Sequence, residues 1–206
     1  MSDKFIGLKK IPPQPAAKML AETNTKLATK LSAPPSAAVS VVLEELDAAE
    51  AWVDIMRLLA AVLPPREAVW WACLAARDML GEDEITPCLR GAEAWVFEPT
   101  DDVREKLQVV LQNADPNDIG ALCATAAFYG TGNMGTSDEL KESAAPPSAI
   151  CGCAFGTNMQ SLEDHEDPIG RMQFLIDRAL DIARGGNGRI PEPEKAPAEA
   201  AESMET

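Results

Sequence analysis

The chain has 206 residues, of which 46% are hydrophobic and 25% charged, and its formal net charge is −15. A body this acidic repels phosphate, which argues against nucleic-acid binding, and no apolar run reaches the roughly 18 residues that a membrane-spanning helix needs. The length fits one domain with a sizeable core. Five cysteines, an odd number, and no apolar signal core in residues 1–10 lead to the expectation of a reduced, cytoplasmic protein.

Charge is unevenly distributed. Residues 1–35 carry six lysines against Asp3 and Glu22, whereas residues 36–98 and 99–185 are each net −8 and residues 186–206 net −3. The sequence therefore predicts a flexible basic arm with one helix (1–35), a helical domain (36–185) and a disordered acidic tail (186–206) rich in Pro, Glu and Ala. The arm reads as solvated, with contact to an acidic partner or to the chain's own body as the alternative.

In chain order, residues 16–31 read as a helix marked by Leu20, Leu27 and Leu31, stopped by Pro34 and Pro35. A short helix is expected over 36–46. A strong one follows over 47–63, with Asp47 as N-cap and Glu50 completing a capping-box start. Its apolar stripe is Ala48, Trp52, Ile55, Met56, Leu59 and Leu63, and Asp54 and Arg57 fall on the other side as a weak surface pair. Pro65 suits the first position of the next helix, which runs to Leu80 with Gly81 as its stop. Thr86 and Pro87 start another that ends near Phe97. Residues 101–113 carry a stripe of Val103, Leu107, Val110, Leu111 and Ala114. Asp115 and Pro116 start a helix through Ala127 that Gly130 ends. Residues 130–148 read as a long loop, and 149–159 as a small-residue segment whose Gly152 and Gly156 weaken a helix. Asp167 and Pro168 open the last helix, ended by Gly185 and Gly186. Alternating runs of β-branched residues are missing. The fold class is all-α, a compact bundle of antiparallel helical hairpins. A solenoid is the alternative, because the pentapeptide AEAWV at 49–53 recurs at 92–96.

Trp70 and Trp71 are neighbours inside the helix that Pro65 starts. Adjacent helix positions point about 100° apart, so the pair is expected to bury on two faces, with other helices wrapped around them. Trp52, Trp70, Trp71 and Trp95, with Arg66 and Glu67 beside the pair, are the structural or interaction candidates. As a group, the four tryptophans and Phe97, aromatic residues spread over helices, read as core, and Glu67 as an acid favoured at a helix start.

Catalytic readings are weaker. Gly130, Gly132 and Gly135 match a dinucleotide-binding spacing, but a helix precedes them where a strand is needed. Cys151, Cys153 and His165, with Asp164 or Glu166, could supply metal ligands, although the cysteine spacing differs from the usual knuckle. His165 with Ser161 or Cys153 could form a nucleophile pair only if folding brought them together. No catalytic residue, cofactor or metal is assigned, and oligomeric state is left open.

Residues 63–73, LPPREAVWWAC, resemble the most specific segment of an uncharacterised bacterial family of helical proteins of about 200 residues, a domain of unknown function. The aromatic-then-glycine run 126–132 and the Pro146–Pro147 start are similar to further family features, while residues 151–159 depart from its pattern. The likeness spans about residues 40–185. It implies an accessory or adaptor role near bacterial type VI secretion components, through gene neighbourhood, and carries no catalytic residues. The expectation is a non-enzymatic helical module that binds a protein partner. The alternatives are a small metal- or thiol-dependent enzyme using Cys151, Cys153 and His165, and a domain that associates with itself.

Overall fold

The computed structural model describes residues 3–80, 84–163 and 165–191. The expected stop at Gly81, the ligand candidate Asp164 and residues 192–206 of the expected tail lie outside them. The described residues form a 3₁₀ turn (Asp3–Phe5) and ten α-helices, with no strand and only two isolated bridges. The helices are α1 (Ala16–Glu22), α2 (Val39–Ala48), α3 (Trp52–Val62), α4 (Pro65–Met79), α5 (Pro87–Phe97), α6 (Asp101–Gln112), α7 (Ala121–Phe128), α8 (Asp138–Lys141), α9 (Ala149–Gln160) and α10 (Pro168–Arg184).

The helix α4 is the axis of the fold. It packs against α5, α7, α9 and α10, and buries Ala68, Val69 and every residue from Trp71 to Ala76. In a solenoid each unit touches only its neighbours; here α4 packs against α9 although four helices lie between them in the chain, so the arrangement is a bundle. The two AEAWV copies also differ in structure. The first is the turn between α2 and α3 and the start of α3, and the second lies within α5, so they are not a repeat.

Helix boundaries encoded by local chemistry fall where the sequence puts them. Pro65 opens α4, Thr86 caps α5 by accepting from Leu89 N–H at 3.2 Å, and Asp167 caps α10 by accepting from Gly170 N–H at 2.9 Å. Gly185, at φ 105°, takes the left-handed turn that ends α10.

Other boundaries are set by distant partners. The expected helix over 47–63 begins only at Trp52. Asp47 belongs to α2, where it pairs with Lys4 at 2.8 Å, and the chain turns at residues 49–51 with Glu50 at φ 52°. In one continuous helix Leu46 and Ile55, nine positions apart, would point about 180° from each other. Both are fully buried, so the turn is what brings the two apolar faces onto one core. Likewise α1 ends at Glu22 rather than near 31. The following strand-free segment finds its bonds in acids of α2 and α3: Ser32 and Ala33 N–H donate to Glu45, and Ala28 and Thr29 N–H to Asp54 at 3.1 and 2.7 Å. Asp54 is therefore no surface residue. It is buried, and it also accepts from Arg57 at 2.9 Å. The helix expected from Asp115 starts at Ala121, because Asp115 and Asp118 each close a turn, onto Asn117 N–H and Gly120 N–H at 2.8 Å.

The basic segment lies on the body. Phe5, Met19 and Leu20 are buried, Lys4 and Lys10 pair with Asp47 and Glu67, and Lys10 N–H donates to Ala183 O at 2.8 Å. The loop over 130–148 is pinned at its start by Arg104, which is fully buried. Its guanidinium donates to Phe128 O at 2.7 Å, to Asp101 at 3.0 Å and to the Asn133 side chain at 2.8 Å. Residues 130–135 thus continue a helix end, and their glycines follow no strand. Gly130 is required by packing, since a Cβ there would come within 2.2 Å of the Trp95 ring.

Candidate functional site

Three of the sequence candidates converge. The Pro64–Pro65 turn sets the first turns of α4 at the surface, where Arg66, Glu67 and Trp70 face the end of α5 and the end of α10. Together with Lys10, Val96, Phe97, Ile182, Gly186 and Asn187 they line an open cleft of about 210 Å³. Phe97 is the feature the apolar pattern hides: the buried stripe of α5 is Cys88, Leu89, Ala92, Trp95 and Val96, and Phe97 projects off it, 69% exposed. Its ring meets Trp70 edge-on, with centroids 5.9 Å apart, a favoured aromatic geometry.

The chain after α10 completes the cleft. Beyond the Gly185 turn it doubles back over α4, so that Trp70 Nε1 donates to Asn187 O at 2.7 Å and the Arg189 guanidinium lies 5.6 Å from the Trp70 ring. Gly188 makes this path possible. At φ 70° its missing Cβ would stand 2.8 Å from Ile182 and Leu74, and its N–H donates to Asp181 at 2.9 Å. The part of the expected tail that is described, residues 186–191, is therefore bonded to the helical body. On the opposite rim Lys10 pairs with Glu67 at 2.7 Å, and Arg66 Nε donates to Val96 O.

The other candidates do not join them. Trp71, fully buried, donates Nε1–H to Leu175 O at 3.0 Å. Only one of the two neighbouring indoles is enclosed; Trp70 is half-buried at the cleft. Trp95 is buried, with Gly130 against its ring and no acceptor for its Nε1–H among the described residues. Trp52, half-buried at the start of α3, has the Lys4 ammonium 5.5 Å from its ring. A second groove, of about 790 Å³, runs between residues 5–15 and α2, with Ile6 and Val41 exposed on its walls.

The alternative set stays apart. Cys151 faces Thr25 Oγ1 at 3.7 Å and Ser148 O at 3.6 Å, and His165 folds onto its own turn, where Nδ1 accepts Asp167 N–H at 3.1 Å. Among the described residues no three His, Cys, Asp or Glu side chains come together as metal ligands. All five cysteines are free thiols. Contact with Cys123, then burial, pushes the Cys73 thiol far above its usual range; burial raises Cys88 to about 12 and Cys153 to about 11. Thiols held protonated are poor nucleophiles. No helix among the described residues is long and apolar enough to cross a membrane.

The geometry is that of an all-helical bundle with an aromatic surface cleft. Residues 42–183 match a family of unknown function, DUF6931, and the chain belongs to that family. The match takes in Arg66, Glu67, Trp70, Val96, Phe97 and Ile182, and leaves Lys10, Asn187 and Arg189 in the flanks. Searches of curated proteins and of solved structures found no match.

Proposed function

We propose that this chain is a non-enzymatic helical interaction module that docks a protein partner at the Trp70–Phe97 cleft, in the bacterial cytoplasm, as an accessory or adaptor of type VI secretion. The observation that carries the docking reading is Phe97. A large aromatic held 69% exposed at the end of a rigid helix adds little to the core, and beside Trp70 it forms the anchor pair that protein contacts favour. The polar rim of Lys10, Arg66 and Glu67 around an apolar floor has the anatomy of such a contact. The absence of a metal-ligand cluster among the described residues and the raised thiols of Cys73, Cys88 and Cys153 support a binding role over thiol chemistry. The secretion link rests on the resemblance carried by residues 63–73.

The test is affinity capture from native lysate with the wild-type chain and Phe97→Ser as paired baits. The expected result is secretion-apparatus subunits on the wild type and their loss from the variant. Identical captured sets on the two baits would overturn the cleft as the docking site, and a partner lost from the variant but unrelated to secretion would remove the type VI assignment.

A further inference from the structure

We infer that the cleft takes an acidic peptide segment of its partner, with one large apolar side chain seated against the Trp70–Phe97 pair and neighbouring carboxylates on Arg66 and Arg189. This rests on the reading of the cleft as a docking site and adds the chemistry of the occupant. Size comes first. Small-molecule sites usually enclose about 300–1,000 Å³, whereas this cleft is open and measures about 210 Å³, room for an anchoring side chain.

Charge supplies the rest. The chain has 33 acidic residues against 18 lysines and arginines, so carboxylates are abundant on its own surface. Arg57, Arg77, Arg104, Arg171 and Arg178 each pair with one. Arg66, Arg90, Arg184 and Arg189 pair with none among the described residues, and of these Arg66 and Arg189 are the two beside Trp70. Arg66 spends Nε on Val96 O, which holds the guanidinium at the rim with both terminal nitrogens still available, and Arg189 is held over Trp70. The other charged groups near the cleft are Lys10, Glu67, Asp181 and Glu98. Lys10 and Glu67 neutralise each other, Asp181 accepts the Gly188 N–H, and Glu98 follows Phe97 on the exposed end of α5. Two guanidiniums beside an aromatic floor suit carboxylates, which they bind through paired N–H donors. Arg189, Lys10 and Asn187 all lie outside the family match at 42–183, so part of the rim's preference is contributed by this chain's own flanks.

The test uses the full chain and three fluorescein-labelled peptide pools, read by fluorescence anisotropy. All share a central Leu or Phe and differ in flanks of Glu/Asp, Ser/Gly or Lys. The expected result is tightest binding of the Glu/Asp pool, weakened about tenfold or more in the Arg66→Gln/Arg189→Gln double variant and falling with ionic strength. Both arginines are at the surface, and circular dichroism checks that the variant keeps its helices. If the Ser/Gly or Lys pool binds as tightly, and that binding is lost in Phe97→Ser, the acidic preference is overturned and docking at the cleft stands. If no pool binds in a way that Phe97→Ser abolishes, both fall.

Discussion

Trp70 and Trp71 give their indole N–H groups to carbonyls on different sides of α4: Trp71 to Leu175 O within the core at 3.0 Å, Trp70 to Asn187 O at the surface at 2.7 Å. One step along the helix separates a residue that holds the bundle together from one that furnishes its cleft.

That division predicts unequal losses on truncation. Trp71→Ala removes a fully buried indole and should cost about 3–5 kcal/mol, whereas Trp70→Ala should cost about 1–2 kcal/mol. Urea denaturation measures both, and equal losses would contradict the assignment of the two faces.

Asp54 closes the irregular segment after α1, so its loss should be felt far from α3. Asp54→Ala leaves the Ala28 and Thr29 N–H groups and Arg57 without their acceptor and should cost about 2–4 kcal/mol. Burial works to raise this carboxyl, but the bonds from Thr29, Ala28 and Arg57 outweigh it, and the net shift is below the ordinary value of 3.8. A carboxyl lowered in the folded state stabilises fully above that ordinary value and loses its contribution as pH falls through the folded one. Melting temperature should therefore drop more steeply below pH 3.8 in the wild type than in Asp54→Asn.

Arg104 ties α6 to the end of α7 and to Asn133. Arg104→Met should cost about 3–5 kcal/mol, because it strips a buried network of its donor. Protease cleavage within residues 130–148 should accelerate under conditions where the rest of the chain stays folded. Unchanged cleavage there would remove the clamp role.

The thiols should be slow. With Cys153 near 11 and Cys88 near 12, at pH 8 these two thiols hold about a hundredfold and about a thousandfold less thiolate than an ordinary cysteine. Reaction of Cys88 and Cys153 with a disulfide reagent, followed by peptide mapping, should be slower by at least those factors than in denaturant. A fast-reacting thiol in the native chain would reopen the thiol-chemistry alternative.

Legibility in the sequence followed the range of the interactions involved. Pro65, Thr86, Pro87, Asp167 and Gly185 act within a few residues of themselves, and the ends they mark were readable. The segments at 16–31 and 47–63 were misread because what decides them is remote. Asp54 reaches back to Ala28, Glu45 to Ser32, and the phase difference between Leu46 and Ile55 matters only when both must face one core. The site divides the same way. Arg66, Glu67 and Trp70 share a motif and could be singled out together. Phe97 reads as core beside the tryptophans, and its 69% exposure overturns that reading; its place off the stripe of α5 was the available signal. Lys10, Asn187 and Arg189 had no signal, because their places depend on how the segments before and after the family match cross over α4.

That crossing has a consequence for biosynthesis. Lys10 is bonded to Ala183 through its backbone and to Glu67 through its side chain, and Asn187 caps Trp70. A surface that joins Lys10 to Asn187 cannot form on a nascent polypeptide until α10 and the segment after it have left the ribosome. Translation products that stop before residue 187 would leave the Trp70 indole N–H without this carbonyl and the cleft without that wall.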